Sequence, residues 1–168
     1  MSCNYKILLS LSLSLSFFNP YCFCNEEADQ NDNATIEQLE DAANHGDAKA
    51  QHSLGVRYEN GYGMKQNLKK AFEYYQKAAA QGLAKAQYSL SVCYEKGCGV
   101  EKNLEKAYEW CQKAANQGLA DAQYGLSVCY EKGCGVEKNL EKAYDWVKKA
   151  AEQGYSKAKE KAKQLMKK

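Results

Sequence analysis

Ala50, Leu54 and Tyr58 stand four residues apart, and the same spacing returns at Ala86, Leu90 and Tyr94 and at Ala122, Leu126 and Tyr130. Steps of four keep apolar side chains on one face of an α-helix. A glycine-bearing turn, "NGYG" or "KGCG", closes each run, and a second run opens at Asn67, Asn103 or Asn139. Asparagine there can accept a hydrogen bond from the free N–H groups of a first helical turn. The apolar stripe of the second run is Ala71, Tyr74 and Ala78 with their echoes, which puts Trp110 and Trp146 at the middle position. Small Ala beside large aromatics suits helices that interlock without voids.

Gly46, Gly82, Gly118 and Gly154 punctuate this pattern every 36 residues. A fixed period of that size is the mark of a solenoid, in which each unit buries its apolar face only against its neighbours. The units are 46–81, 82–117 and 118–153; the last two differ at six positions, and residues 90–108 recur letter for letter at 126–144. The flanks continue the scheme: 34–46 reads as a second helix with Leu39, Ala42 and Ala43 in register, and 154–168 as a capping helix covered in Lys. Eight helices and an all-α stack are expected, and the lone proline, Pro20, lies outside them.

Residues 1–24 read differently. Lys6 precedes an uncharged apolar run, 7–18, then Pro20 and the small residues Cys22 and Cys24. That is the plan of a cleaved secretory signal peptide, and the run is too short to span a bilayer, which takes about 20 residues. Export, cleavage after Cys24 and no stable membrane insertion afterwards are therefore expected. Residues 25–33 form a polar, acidic leader; Asn33-Ala34-Thr35 is a glycosylation sequon.

The net charge of +2 gives no case for nucleic acid. It is unevenly placed, with eight acids and no Lys or Arg over 25–48 and six Lys against one Glu over 157–168. Solvation of the two ends accounts for this in a monomer; end-to-end association is the alternative.

The repeated stretch carries two cysteines five apart, Cys93 and Cys98, then Cys129 and Cys134. If Gly97 and Gly133 cap their helices in the left-handed conformation, the residue after each glycine returns against the residue five earlier. That brings each pair within disulfide range, and in an exported chain two local bridges are expected. Two other readings stay open, that the four are small hydrophobes at helix ends or that together they bind zinc. Cys111 shares its slot with Tyr75 and Val147, as a buried core thiol would.

The A-x-x-x-L-x-x-x-Y run, the G-x-G-[MV] turn, the Lys-Ala step (Lys70-Ala71, Lys106-Ala107, Lys142-Ala143) and the K-A-A-x-x-G close resemble the Sel1-like repeat family, relatives of tetratricopeptide repeats. The resemblance covers 34–168 and implies a right-handed α-solenoid of helix pairs that acts as an adaptor, binding a protein or peptide on its concave side. By that resemblance the groove carries Lys49, Lys85 and Asp121; His52, Tyr88 and Tyr124; Val56, Val92 and Val128; and a row of Glu95 and Glu131 that begins at Glu59.

Other chemistry finds less support. Ser156-x-x-Lys159 lacks the companion motifs of penicillin-recognising enzymes. A cysteine-rich branch of the family has been described as binding or hydrolysing β-lactams, but its cysteine positions fall here around Ala115 and Ala122–Gln123. A β-lactam-directed enzyme and a thiol redox or metal-binding protein stand as alternatives; no cofactor is expected.

Overall fold

The computed structural model describes residues 35–167. The expected signal segment and leader, 1–24 and 25–33, lie outside them. Eight helices follow in order: α1 (Ile36–Asn44), α2 (Ala48–Asn60), α3 (Leu68–Ala80), α4 (Ala84–Lys96), α5 (Leu104–Asn116), α6 (Ala120–Lys132), α7 (Leu140–Glu152) and α8 (Ser156–Leu165). Among the described residues there is no strand. Each helix packs on the one before and the one after it, most extensively within the pairs α2/α3, α4/α5 and α6/α7.

The caps are local and repeat with the sequence. Asn67, Asn103 and Asn139 accept from the N–H of Lys70, Lys106 and Lys142 at 2.8–3.0 Å. Thr35 and Gln38 close α1 with a reciprocal capping box. Gly61, Gly97 and Gly133 end the first helices at φ 76°. Behind them the Cys98 and Cys134 N–H groups donate to the Cys93 and Cys129 carbonyls at 3.0 Å, the return contact that the glycine turn predicts.

Leu54, Leu90 and Leu126 of the first helices are wholly buried, with Ala50, Ala86 and Ala122 beside them. Each such leucine contributes about 1.5–3 kcal/mol through burial. In the second helices the middle of the buried stripe is not Tyr74, Trp110 and Trp146, as the periodicity suggests, but Tyr75, Cys111 and Val147. Both choices fit helical spacing from Ala71 to Ala78, as i+3 and i+4. The one-residue difference turns Tyr74, Trp110 and Trp146 to the flank, half-buried. There Lys77, Lys113 and Lys149 sit over their rings, at 5.3, 3.9 and 4.1 Å.

A polar ladder runs through this core. Gln51, Gln87 and Gln123 are each 6% exposed. Their amides donate to the carbonyls of Ala43, Ala79 and Ala115 on the preceding helix. Their oxygens accept from Gln81, Gln117 and Gln153 at 2.7–2.8 Å. Each rung therefore ties three helices together and satisfies a buried amide at no loss of hydrogen bonding.

Candidate functional site

The expected groove residues all lie on α2, α4 and α6, but the three levels of the stack treat them differently. Lys49 and Lys85 are exposed, Asp121 is half-buried, and Val56, Val92, Val128, Tyr88 and Tyr124 are half-buried. Tyr124 lies with its ring centroid 5.3 Å from that of Tyr155.

At the first level the space between the helices is filled. Tyr75, from α3, presses its ring on Gly55, where a Cβ would come within 2.5 Å of it. The ring lies 5.5 Å from that of His52, and the hydroxyl donates to Glu59 Oε2 at 2.6 Å. His52 and Glu59 are consequently buried, and His52 Nε2 is 3.1 Å from Ser89 Oγ. At the third level Val147 takes the place of Tyr75, and Glu131 pairs with Lys161 of α8.

At the middle level the residue in register with Tyr75 is Cys111, and a cavity of about 180 Å³ opens instead. Four expected groove residues line it: Tyr88 and Glu95 from α4, and Tyr124 and Val128 from α6. Ser91, Cys111, Gly125, Cys129 and Cys134 are also in its wall. The nearly identical second and third units thus differ where it counts here, since Cys111 and Gly125 answer to Val147 and Ser89 in the other units. Gly125 packs against Tyr88 and Cys111; a Cβ there would lie 3.2 Å from the Tyr88 ring and 3.3 Å from Cys111 Sγ.

The cysteines meet in this wall in a way that the i, i+5 spacing does not reveal. Cys129 and Cys111, eighteen residues earlier, both line this wall, and the two thiols bias each other's ionisation. Hydrogen bonding toward an ionised Cys129 pushes Cys111 well above the ordinary thiol value, aided by burial, and draws Cys129 below it against the effects of its own burial and of Glu95. In the structure the Cys111 thiol donates to the Ala122 carbonyl at 3.3 Å. Burial, then the charge of Cys129, raises Cys134. Cys111, Cys129 and Cys134 are thiols in this structure. Cys111 is 4% exposed, the buried thiol expected. Cys93 is buried too, in the cluster that holds Tyr75.

The other candidates stand apart. Ser156 and Lys159 are exposed on α8. Among the described residues no three His, Cys, Asp or Glu side chains are placed to hold a metal ion, and no helix is long and apolar enough to cross a membrane.

Three comparisons bear on this architecture. The Sel1 repeat model matches residues 48–83, 84–119 and 120–155, the period read above in a frame two residues later. The Sel1 repeat protein from Oxalobacter formigenes superposes with TM-score 0.70 at 40% identity, over 77% of this chain and 97% of that one. The protective antigen c5321 of uropathogenic Escherichia coli, displaying an SLR fold, gives TM-score 0.70 at 40% identity, over 73% of this chain but 26% of its own length. Helicobacter pylori cysteine rich protein B gives 0.57 at 27% identity, over 74% and 96%. Among curated proteins none matches. With three consecutive repeat matches and solved relatives at 40% identity sharing its stack of helix pairs, this chain belongs to the Sel1 repeat family.

Proposed function

We propose that this chain is an exported adaptor that holds a protein or peptide segment along the first-helix face of its solenoid. The observation that carries this reading is the cavity between α4 and α6, lined by Tyr88, Glu95, Tyr124 and Val128. Half-buried Tyr and Val beside a Glu row suit an extended or helical segment with apolar anchors and basic neighbours. The Tyr88→Ala/Tyr124→Ala double variant is the test. Full-length protein captures its partner from the extracellular or envelope fraction of the source cells, and the double variant, folded by circular dichroism, captures much less. Undiminished capture by the double variant sinks the groove assignment.

Export and the turn disulfides Cys93–Cys98 and Cys129–Cys134 belong to the same proposal, supported by the signal-like 1–24 stretch and the return contacts at both turns. Protein from its native source then has a mass beginning at Asn25, and four thiols become alkylatable only after reduction. A full-length mass with these thiols already reactive overturns both.

A further inference from the structure

The three levels of the stack treat the same glutamate in three ways, and the middle one is incomplete. Glu59 receives a phenol hydroxyl from Tyr75, and Glu131 receives the Lys161 ammonium. Glu95 is exposed beside an open cavity, because the chain supplies Cys111 where the first level supplies a tyrosine. The residues in register with the three groups Tyr75 touches, His52, Gly55 and Glu59, are Tyr88, Ser91 and Glu95. All three line the cavity.

We propose that this cavity is a binding site for a phenolic ring, the tyrosine side chain of a partner segment, with the hydroxyl donating to Glu95 and the ring resting beside Tyr88. The size fits: an apolar protein cavity of about 150 Å³ takes up benzene, and this one measures about 180 Å³. The pose is not that of Tyr75. Ser91 replaces Gly55, and a Cβ at that position would strike a ring lying where Tyr75 lies, so the incoming ring enters from the groove and lies nearer its mouth. A tyrosine is favoured over phenylalanine, because its hydroxyl makes a charge-assisted hydrogen bond to the Glu95 carboxylate. The partner-segment part rests on the adaptor reading; the phenol site does not.

The experiment is a titration of the full chain, under reductant, with p-cresol and with toluene, followed by amide chemical shifts at Gly125 and Cys129. Saturable shifts with p-cresol binding about tenfold tighter than toluene are expected. Glu95→Ala, at an exposed position, removes that preference. Cys111→Tyr/Ser91→Gly rebuilds the Tyr75–Gly55 pair, fills the cavity from within and abolishes p-cresol binding in a chain that still melts cooperatively. No saturable binding overturns the site; equal binding of toluene overturns the phenol and leaves an apolar hole. If p-cresol binds but the cavity-filled variant captures partner as well as the parent, the tyrosine anchor is wrong. Loss of capture in the Tyr88/Tyr124 variant tests the groove separately.

Discussion

Changing Gly99 to Ala should cost far more than the same change at Gly63, although both glycines have φ 72°. The left-handed conformation costs an L-residue about 1–2 kcal/mol at either site, and the gain from a less flexible unfolded chain is also common to both. Their surroundings differ. A Cβ on Gly99 collides with the carbonyl of Leu68, backbone of the preceding unit, and lies 2.9 Å from the Lys69 nitrogen. At Gly63 the nearest atom is Ile36 Cδ1 at 3.1 Å, the tip of a side chain that can swing aside. The excess at Gly99 is therefore the cost of prising one repeat from the next, about 1–3 kcal/mol as for other overpacked sites. With a urea m-value near 2 kcal/mol/M, the Gly99→Ala midpoint falls about 0.5–1.5 M below that of Gly63→Ala. Urea unfolding followed by circular dichroism measures it. Midpoints within about 0.2 M of each other refute the claim that this glycine is required by the inter-repeat contact.

Other expectations are smaller or more local. Asn139→Ala removes the acceptor for the Lys142 N–H and lowers stability by about 1 kcal/mol, whereas Asn139→Asp keeps it near the parent value in the same assay. Tyr75→Phe takes the donor from the buried Glu59 and costs about 1–3 kcal/mol by chemical denaturation; a neutral result shows that the bond to Glu59 contributes nothing net. In the reduced chain Cys111 favours the Cys129 thiolate, so the rate of Cys129 alkylation by iodoacetamide rises at lower pH than for an ordinary thiol. Cys111→Ala shifts that profile to higher pH, and an unmoved profile means that Cys111 is not the cause.

Much of this protein is legible in one dimension because its regularities are short-range. Second-helix starts follow from an asparagine and the N–H three residues on, first-helix ends from a glycine and a carbonyl four or five residues back, and both sets of positions repeat every 36 residues. The paired glutamines were just as visible, at 51/81, 87/117 and 123/153, but their spacing of 30 matches no helical period, so only the folded stack shows them to be bonded. The stripe of the second helices failed for a different reason: i+3 and i+4 both satisfy the pattern, and contact with the neighbouring helices chose between Tyr74 and Tyr75.

The two identical nineteen-residue stretches mark the boundary most sharply. Sequence alone determined that both form the same helix, the same glycine turn and the same return contact between cysteines, since every bond involved lies within the stretch. It could not determine that Cys93 is buried in the cluster with Tyr75 while Cys129 is half-buried, with Cys111, at the wall of a cavity. Those neighbours come from the preceding helix, eighteen residues away, where Tyr in one unit and Cys in the next decide whether the space between repeats is filled or open.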